Sequence, residues 1–425
     1  MKNLKLHTPG GLSDLLPKAY RIKHAVERRL ETVFERYGYA FISSPTLEYV
    51  EVFEGKGSIP ITEMYKLGDR NGDMLALRPD MTPVVARMAV THNLVKDNMP
   101  LRACYIEKAF RNHEHLQGRE NEFTQAGAEL IGIASPEADA ELIALAVQGL
   151  QATGLINFRV DIGHVGFLPG VLAGLEVVLS EIDRKAFISH MFSRDYVAAE
   201  ILAAKAKHVV PSGLLLCDLS QLTGGIDMLA QVKLVISNPQ ALAAIQYLEK
   251  VYAVLQDQGL DKHILFDLSM TGQLDYYTGV IFKGYAKGSG ATVVDGGRYD
   301  RLLGAFNVKE NSRPIPAVGF GIKIEGIIDA LAAQGMTFKD ESTDTLLAYQ
   351  ENARSVALTT GDIMRKQGLH LENSLITGSL EVHKAYAKGK NLKGILYFAD
   401  PDTVLLVNLE TGQEQAVTVE ELKKC

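Results

Sequence analysis

The stretch from Arg102 to Gly132, RACYIEKAFRNHEHLQGRENEFTQAGAELIG, constrains this chain more than any other. It predicts two strands, Cys104 to Arg111 and Glu122 to Ile131, joined by a polar loop from Asn112 to Asn121. Alternate side chains of a strand share a face. Phe123, Gln125, Gly127 and Glu129 therefore line one side, and Thr124, Ala126, Ala128 and Leu130 the other. On the first side an amide and a carboxylate flank a glycine that leaves room between them. That combination can floor a pocket for a small ligand with N–H donors. Arg111 at the end of the neighbouring strand and Arg119 in the loop add positive charge suited to a carboxylate or a phosphate. An amphipathic hairpin with one wet face fits the same residues, so the rest of the chain has to decide.

At 425 residues and 47% hydrophobic content, the chain has material for two or three domains and a large core. No N-terminal apolar segment reads as a signal peptide, and no run reaches membrane-spanning length. Cys104, Cys217 and Cys425 are far apart and form neither a CxxC pair nor a zinc spacing, which fits a reducing cytoplasm. The net charge of −7 argues against broad nucleic-acid binding.

Several motifs lie on either side of the hairpin. An opening loop, Pro9 to Pro17, leads into a helix predicted from about Ala19 to Tyr37, with Ile22, Val26, Leu30 and Val33 at helical spacing and Gly38 as its stop. A short strand follows from Tyr39 to Ile42, ahead of Pro45. Met64–Leu67 and Met74–Leu77 flank an Asn71-Gly72 step, a hairpin signal. In Arg78-Pro79-Asp80-Met81-Thr82-Pro83, Thr82 is placed to cap a helix that begins at Pro83. His113-Glu114-His115 invites a metal reading, but in a polar loop such side chains are usually solvated, and no metal is expected. Ser135-Pro136-Glu137 opens an Ala-rich helix, Phe158 to Ile162 is a strand, and His164 in Gly163-His164-Val165-Gly166 reads as a turn residue. Residues 167–259 are helical in pattern. Another strand, Ile264 to Ser269, precedes Gly272-Gln273-Leu274-Asp275-Tyr276-Tyr277. Asp295-Gly296-Gly297-Arg298-Tyr299-Asp300 is glycine-rich without being a phosphate loop, since no GxxxxGK[ST] occurs. Residues 334–344 form a polar linker. Beyond it, strands at 345–349, 370–376, 394–399 and 403–409 alternate with helices at 353–367 and 380–388, which suggests a small α/β domain with a mostly parallel sheet.

These motifs together resemble the class II aminoacyl-tRNA synthetases in their histidyl version, from Pro9 to about Leu422. Phe110-Arg111, Gly118-Arg119, Phe123, Gln125 and Glu129 resemble the second signature motif. MYKLGDRNGDMLALRPDMT resembles the segment that holds the amino group of histidine, with Asp80 in place of the usual Glu. Tyr276-Tyr277 resembles the tyrosine pair that encloses the imidazole, and Pro316 to Gly326 the third motif. The departures are specific. Where the enzymes carry an arginine near the α-phosphate this chain has Gly272, and where a second arginine grips ATP it has Gly326. At His113 the enzymes have an acid that helps to place ATP. In detail the chain is most similar to the non-catalytic relatives of these enzymes, the regulatory subunits of ATP phosphoribosyltransferase.

The resemblance implies an α+β fold: a class II synthetase-like domain over 1–333, with an antiparallel sheet flanked by helices and a helical insertion at about 167–259. A linker at 334–344 would lead to a C-terminal α/β domain at 345–425, similar to a shortened anticodon-binding domain. It implies a histidine pocket of Asp80, Thr82, Arg111, Gln125, Glu129, Tyr276 and Tyr277, with no catalytic residues and no cofactor. It also implies a homodimer core, assembly with a short-form catalytic subunit in the cytoplasm, feedback regulation by L-histidine, and no tRNA or membrane partner. An active histidyl-tRNA synthetase is the alternative, separated by Gly272 and Gly326.

Overall fold

The computed structural model describes residues 4–54, 59–95, 99–113, 120–176, 178–193, 195–206, 216, 222–271, 277–306, 314–336, 338 and 344–424. The chain divides into two compact units, Met1–Thr337 and Phe338–Cys425. In chain order the first unit holds strands β1 (Ala40–Phe41), β2 (Leu47–Tyr49), β3 (Lys66–Gly68), β4 (Met74–Leu77), β5 (Leu101–Phe110) and β6 (Glu122–Ile131). It continues with β7 (Phe158–His164), β8 (Thr223–Gly224), β9 (Ile264–Asp267), β10 (Val280–Ala286), β11 (Val294–Arg298) and β12 (Ala317–Lys323). Among the described residues nine of these form one sheet in the order β1-β5-β6-β12-β11-β10-β7-β9-β8. Neighbours run antiparallel except β1 with β5 and β7 with β9. The strands β2, β4 and β3 make a separate small sheet.

One face of the large sheet is covered by helices. The first, α1 (Pro17–Arg36), buries Val26, Leu30 and Phe34, the helically spaced apolar stripe of the sequence. Helix α2 (Thr82–Thr91) lies against both sheets, burying Val84 with Ala76 of the small one and Val85 and Ala89 with Ala103 and Ile131 of the large one. Helix α3 (Pro136–Thr153) is buried along most of its length and is capped by the Ser135 hydroxyl, which accepts the Ala138 N–H at 3.2 Å. An ion pair fastens it to the sheet: Arg298 Nη2 donates to Asp139 Oδ1 at 2.6 Å, both groups buried.

The expected helical insertion contains α4 (Phe167–Ala173), α5 (Glu181–Ser193), α6 (Tyr196–Ala203), α7 (Ile226–Val235) and α8 (Pro239–Asp257). It also returns a two-residue strand, β8, to the edge of the sheet, which the helical pattern does not reveal. Helix α9 (Ile324–Ala333) follows β12 directly.

The second unit holds β13 (Thr345–Tyr349), α10 (Arg354–Lys366), β14 (Leu371–Asn373), α11 (Leu380–Gly389), β15 (Gly394–Phe398), β16 (Thr403–Asn408), β17 (Glu414–Thr418) and α12 (Val419–Lys424). Its sheet, β14-β13-β15-β16-β17, is mixed rather than mostly parallel. The cause is local turn chemistry. Asp400 Oδ1 accepts the N–H groups of Asp402 and Thr403, and Asn408 Oδ1 those of Glu410 and Thr411. Such tight turns return a strand antiparallel, because a parallel return needs a long crossover. Both faces are covered: Leu346, Ala348 and Tyr397 with Ala387 of α11, and Leu347 and Phe398 with Ala357 and Met364 of α10.

Candidate functional site

Cross-strand register creates a hollow in the middle of the large sheet. Residues opposite one another on antiparallel strands share a face. Glu129, Gly319, Gly297 and Ile281 form one row across β6, β12, β11 and β10; Tyr105, Gly127, Gly321, Asp295 and Lys283 form the next; Gln125 and Lys323 a third. Four central positions are glycine, so the layer of Cβ atoms is missing there. What fills the space shows why. A Cβ on Gly319 would collide with the Glu129 carboxylate, one on Gly321 with the Gln125 amide, and one on Gly297 would lie 2.8 Å from the Tyr277 ring.

The resulting cavity measures about 120 Å³ and is lined by Asp80, Thr82, Arg111, Gln125, Tyr277 and Tyr299 among others. At roughly 10–15 Å³ per water-sized particle, it holds on the order of ten heavy atoms, the scale of one amino acid.

Glu129 is wholly buried beneath this cavity. The Thr82 hydroxyl donates to its Oε1 at 2.8 Å, the Tyr299 hydroxyl donates to Oε2, and the Tyr105 hydroxyl stands 3.4 Å from Oε1. Burial pushes this carboxyl up to about 8; the Tyr299 and Thr82 hydroxyls oppose that shift, and the charge of Asp80 adds to it. Gln125 Nε2 donates to Asp80 Oδ1 at 3.2 Å and lies 3.4 Å from the Tyr105 oxygen. A continuous polar chain thus runs from Asp80 through Gln125 and Tyr105 to Glu129.

Thr82 departs from its expected role. Helix α2 starts at Thr82 with Met81 as the preceding cap residue and no side-chain cap bond. The hydroxyl is turned instead to the buried carboxyl of Glu129, a group that is costly to leave without a donor.

The segment carrying Asp80 and Thr82 is fixed by Arg78, one of the largest fully buried side chains. Its Nη2 meets Glu107 Oε2 at 2.6 Å, Nη1 reaches the Ser44 carbonyl at 2.7 Å, and Nε reaches the Lys108 carbonyl at 2.8 Å. Arg111 leaves the end of β5, hydrogen-bonds the Pro79 carbonyl at 3.3 Å and turns its charge into the cavity.

Of the residues expected from sequence, Asp80, Thr82, Arg111, Gln125 and Tyr277 line the cavity, and Glu129 lies under Thr82 and Tyr299. Tyr276 and Gly272 fall outside the described residues, as do Glu114, His115, Gly118 and Arg119. Among the described residues no three His, Cys, Asp or Glu side chains cluster as a metal site. His164 closes β7 by accepting the Gly166 N–H on Nδ1 at 3.1 Å, as a turn residue would, and burial lowers its pKa to about 4. Gly326 sits in the first turn of α9, with Val293 Cγ1 and Ser289 Oγ the nearest atoms to a built Cβ, at 3.4 and 3.5 Å. Sequence reasoning missed Tyr105, Tyr299, Lys283 and Lys323. The alternation Gly319, Gly321, Lys323 along β12 carried the signal for the last of these.

A model of the histidyl-tRNA synthetase family matches residues 11–327. The ATP phosphoribosyltransferase regulatory subunit of Acetivibrio thermocellus is 37% identical over 427 residues, 100% of each chain. That of Clostridium novyi is 32% identical over 425 residues, 99% of this chain and 98% of the other. A crystal structure described as an ATP phosphoribosyltransferase regulatory subunit/histidyl-tRNA synthetase from Bacillus halodurans aligns with a TM-score of 0.81 at 30% identity, covering 94% of this chain and 100% of that one. The histidyl-tRNA synthetase of Nostoc sp., at 22% identity and a TM-score of 0.80 over 98% of this chain and 99% of that one, shares the fold. With its class II synthetase sheet and relatives matched from end to end, the chain belongs to the ATP phosphoribosyltransferase regulatory subunit family.

Proposed function

We propose that this chain is the non-catalytic regulatory subunit of an ATP phosphoribosyltransferase, acting at the first step of histidine biosynthesis, and that its cavity binds free L-histidine for feedback regulation. The observation that carries the histidine reading is the cavity's polar set. Arg111 stands at one wall to meet a carboxylate. Asp80, Thr82 and Gln125 converge to take an ammonium, with Glu129 behind them. Tyr277, packed on Gly297, together with Tyr276 would cover an imidazole ring. Calorimetry with L-histidine tests this reading. Arg111→Met removes a charge-assisted contact and should weaken binding roughly ten- to a hundredfold. Equal affinities would take Arg111 out of the site, and no heat with the wild-type chain would contradict the reading.

Synthetase activity is not expected. Gly326 carries no side chain at a position where the family resemblance implies an arginine on ATP, and losing one such group costs about a hundredfold or more in rate. Histidine-dependent ATP–pyrophosphate exchange should be absent. Exchange at roughly 1 per second or faster, an ordinary enzymatic rate, would restore the enzyme reading.

The partner in this reading is a short-form catalytic subunit, in the cytoplasm, around a homodimer of this chain. No described helix is long and apolar enough to cross a membrane. The dimer finds support in the small sheet. Register puts Leu47, Leu77, Tyr49, Leu75 and Leu67 on one face, and Leu47, Tyr49 and Leu67 are 39%, 50% and 40% exposed. A plate of that kind marks an interaction surface. Light scattering after gel filtration should give a dimer for the wild type and a monomer for Tyr49→Asp; a monomeric wild type would rule the dimer out.

A further inference from the structure

We propose that Tyr299 is a positioning residue of this site: its hydroxyl holds Glu129 as a hydrogen-bond acceptor beneath Thr82, and so sets the pH range over which the cavity takes the cationic head of an amino acid. The inference rests on the histidine reading above.

Among the described residues the side-chain partners of Glu129 are three hydroxyls, on Thr82, Tyr105 and Tyr299, and no Lys, Arg or His forms an ion pair with it. A hydroxyl has one proton to give and lone pairs to offer. When Glu129 is ionised, all three hydroxyls point their protons at it, and the lone pairs of Thr82 Oγ1 are left for the cavity, where they can accept from an ammonium. When Glu129 is protonated it must itself donate. If it donates to Thr82, the Thr82 proton turns to the cavity and opposes a cationic ligand. The ionisation of a group that does not line the cavity thereby decides what the cavity wall presents.

Tyr299 is the partner placed to bias that choice. Its hydroxyl is wholly buried, and burial with the charge of Glu129 beside it keeps its own proton bound far above neutral pH. It therefore donates over the whole working range. Among the described residues the titratable neighbours of Glu129 are Asp80 ahead of α2, Tyr105 on β5 and Tyr299 after β11, with Tyr277 beyond Tyr299. The cations Arg111, Lys283 and Lys323 line the same cavity, Lys323 lying 3.5 Å from Asp295.

The test is the histidine affinity of wild type and Tyr299→Phe measured from pH 6 to 9.5. Removing a donor to the carboxylate leaves Glu129 protonated to higher pH. The rise of affinity with pH should shift upward by about one unit, which makes binding roughly tenfold weaker at pH 7. The two affinities should converge at the alkaline end, where Glu129 is ionised in both. The ionisation of histidine itself is common to the two proteins and cancels. A loss that is equal at every pH, or no loss, would overturn the proposal and leave the histidine reading intact. Absence of binding to the wild type would instead sink that reading. In that event the Glu129 carboxyl band, identified by infrared difference against Glu129→Gln, still decides: its titration must move up in Tyr299→Phe. Should Tyr299→Phe not fold, a ring-fluorinated tyrosine at 299 keeps the shape and donates more strongly, and the affinity profile must then move down.

Discussion

A carboxyl group buried at the centre of a sheet, with three hydroxyls and no cation paired to it among the described residues, sets the terms for this site. Moving an ionisable group out of water is costly unless hydrogen bonds replace the lost solvation. For Glu129 the replacements come from three separate pieces of chain: Thr82 at the start of α2, Tyr105 on β5 and Tyr299 after β11. Each must arrive within hydrogen-bond reach of one side chain on β6. The glycines of β12 follow from the same demand, because a methyl group at Gly319 would occupy the place of the Glu129 carboxylate. Seen this way, the glycine row is the space that the polar floor needs.

Two buried arginines keep those pieces in register. Arg78 spends its fork on Glu107 and on carbonyls of Ser44 and Lys108, which ties the segment before α2 to β5. Arg298 joins β11 to α3 through Asp139, whose other oxygen accepts the Tyr247 hydroxyl from α8 at 2.8 Å. Removing one partner of a buried pair typically costs about 3–5 kcal/mol, because it strands the other charge. Against a total stability of about 5–15 kcal/mol, each pair is a large share. Neither arginine lines the cavity, yet Arg298 lies next to Tyr299 and Arg78 two residues before Asp80, so both act on the floor through the backbone.

Much of this was legible in the sequence, for identifiable reasons. The hairpin of β5 and β6 announced itself by alternation, and β6 begins and ends at the residues the pattern gives, Glu122 and Ile131. Alternation also put Gln125 and Glu129 on one face before any partner strand was known. Thr82 shows where local reasoning stops: a helix cap is the nearest use for its hydroxyl, but a buried carboxylate 47 residues away outcompetes it. The contacts of Tyr299 and Tyr105 with Glu129 are hidden for the same reason, since only the folded sheet brings β5, β6 and the turn after β11 together. The mixed sheet of the second unit was misjudged because helix–strand alternation suggests parallel pairing, while the Asp400 and Asn408 turns that reverse the chain are short and easily passed over.

In the function proposed above, occupancy of this cavity would be read by a second protein. An inhibitor acts through a partner only if it binds two states of the complex with different affinity, a coupling of about 1–3 kcal/mol in ordinary cases. The most direct measurement is a histidine titration of phosphoribosyl-ATP formation by the complex reconstituted with its catalytic subunit, using wild type and Tyr277→Ala. Losing the ring's buried contact should raise the histidine needed for half-inhibition by roughly tenfold or more. Half-inhibition of both complexes at the same histidine concentration would contradict the account and put the sensing site elsewhere.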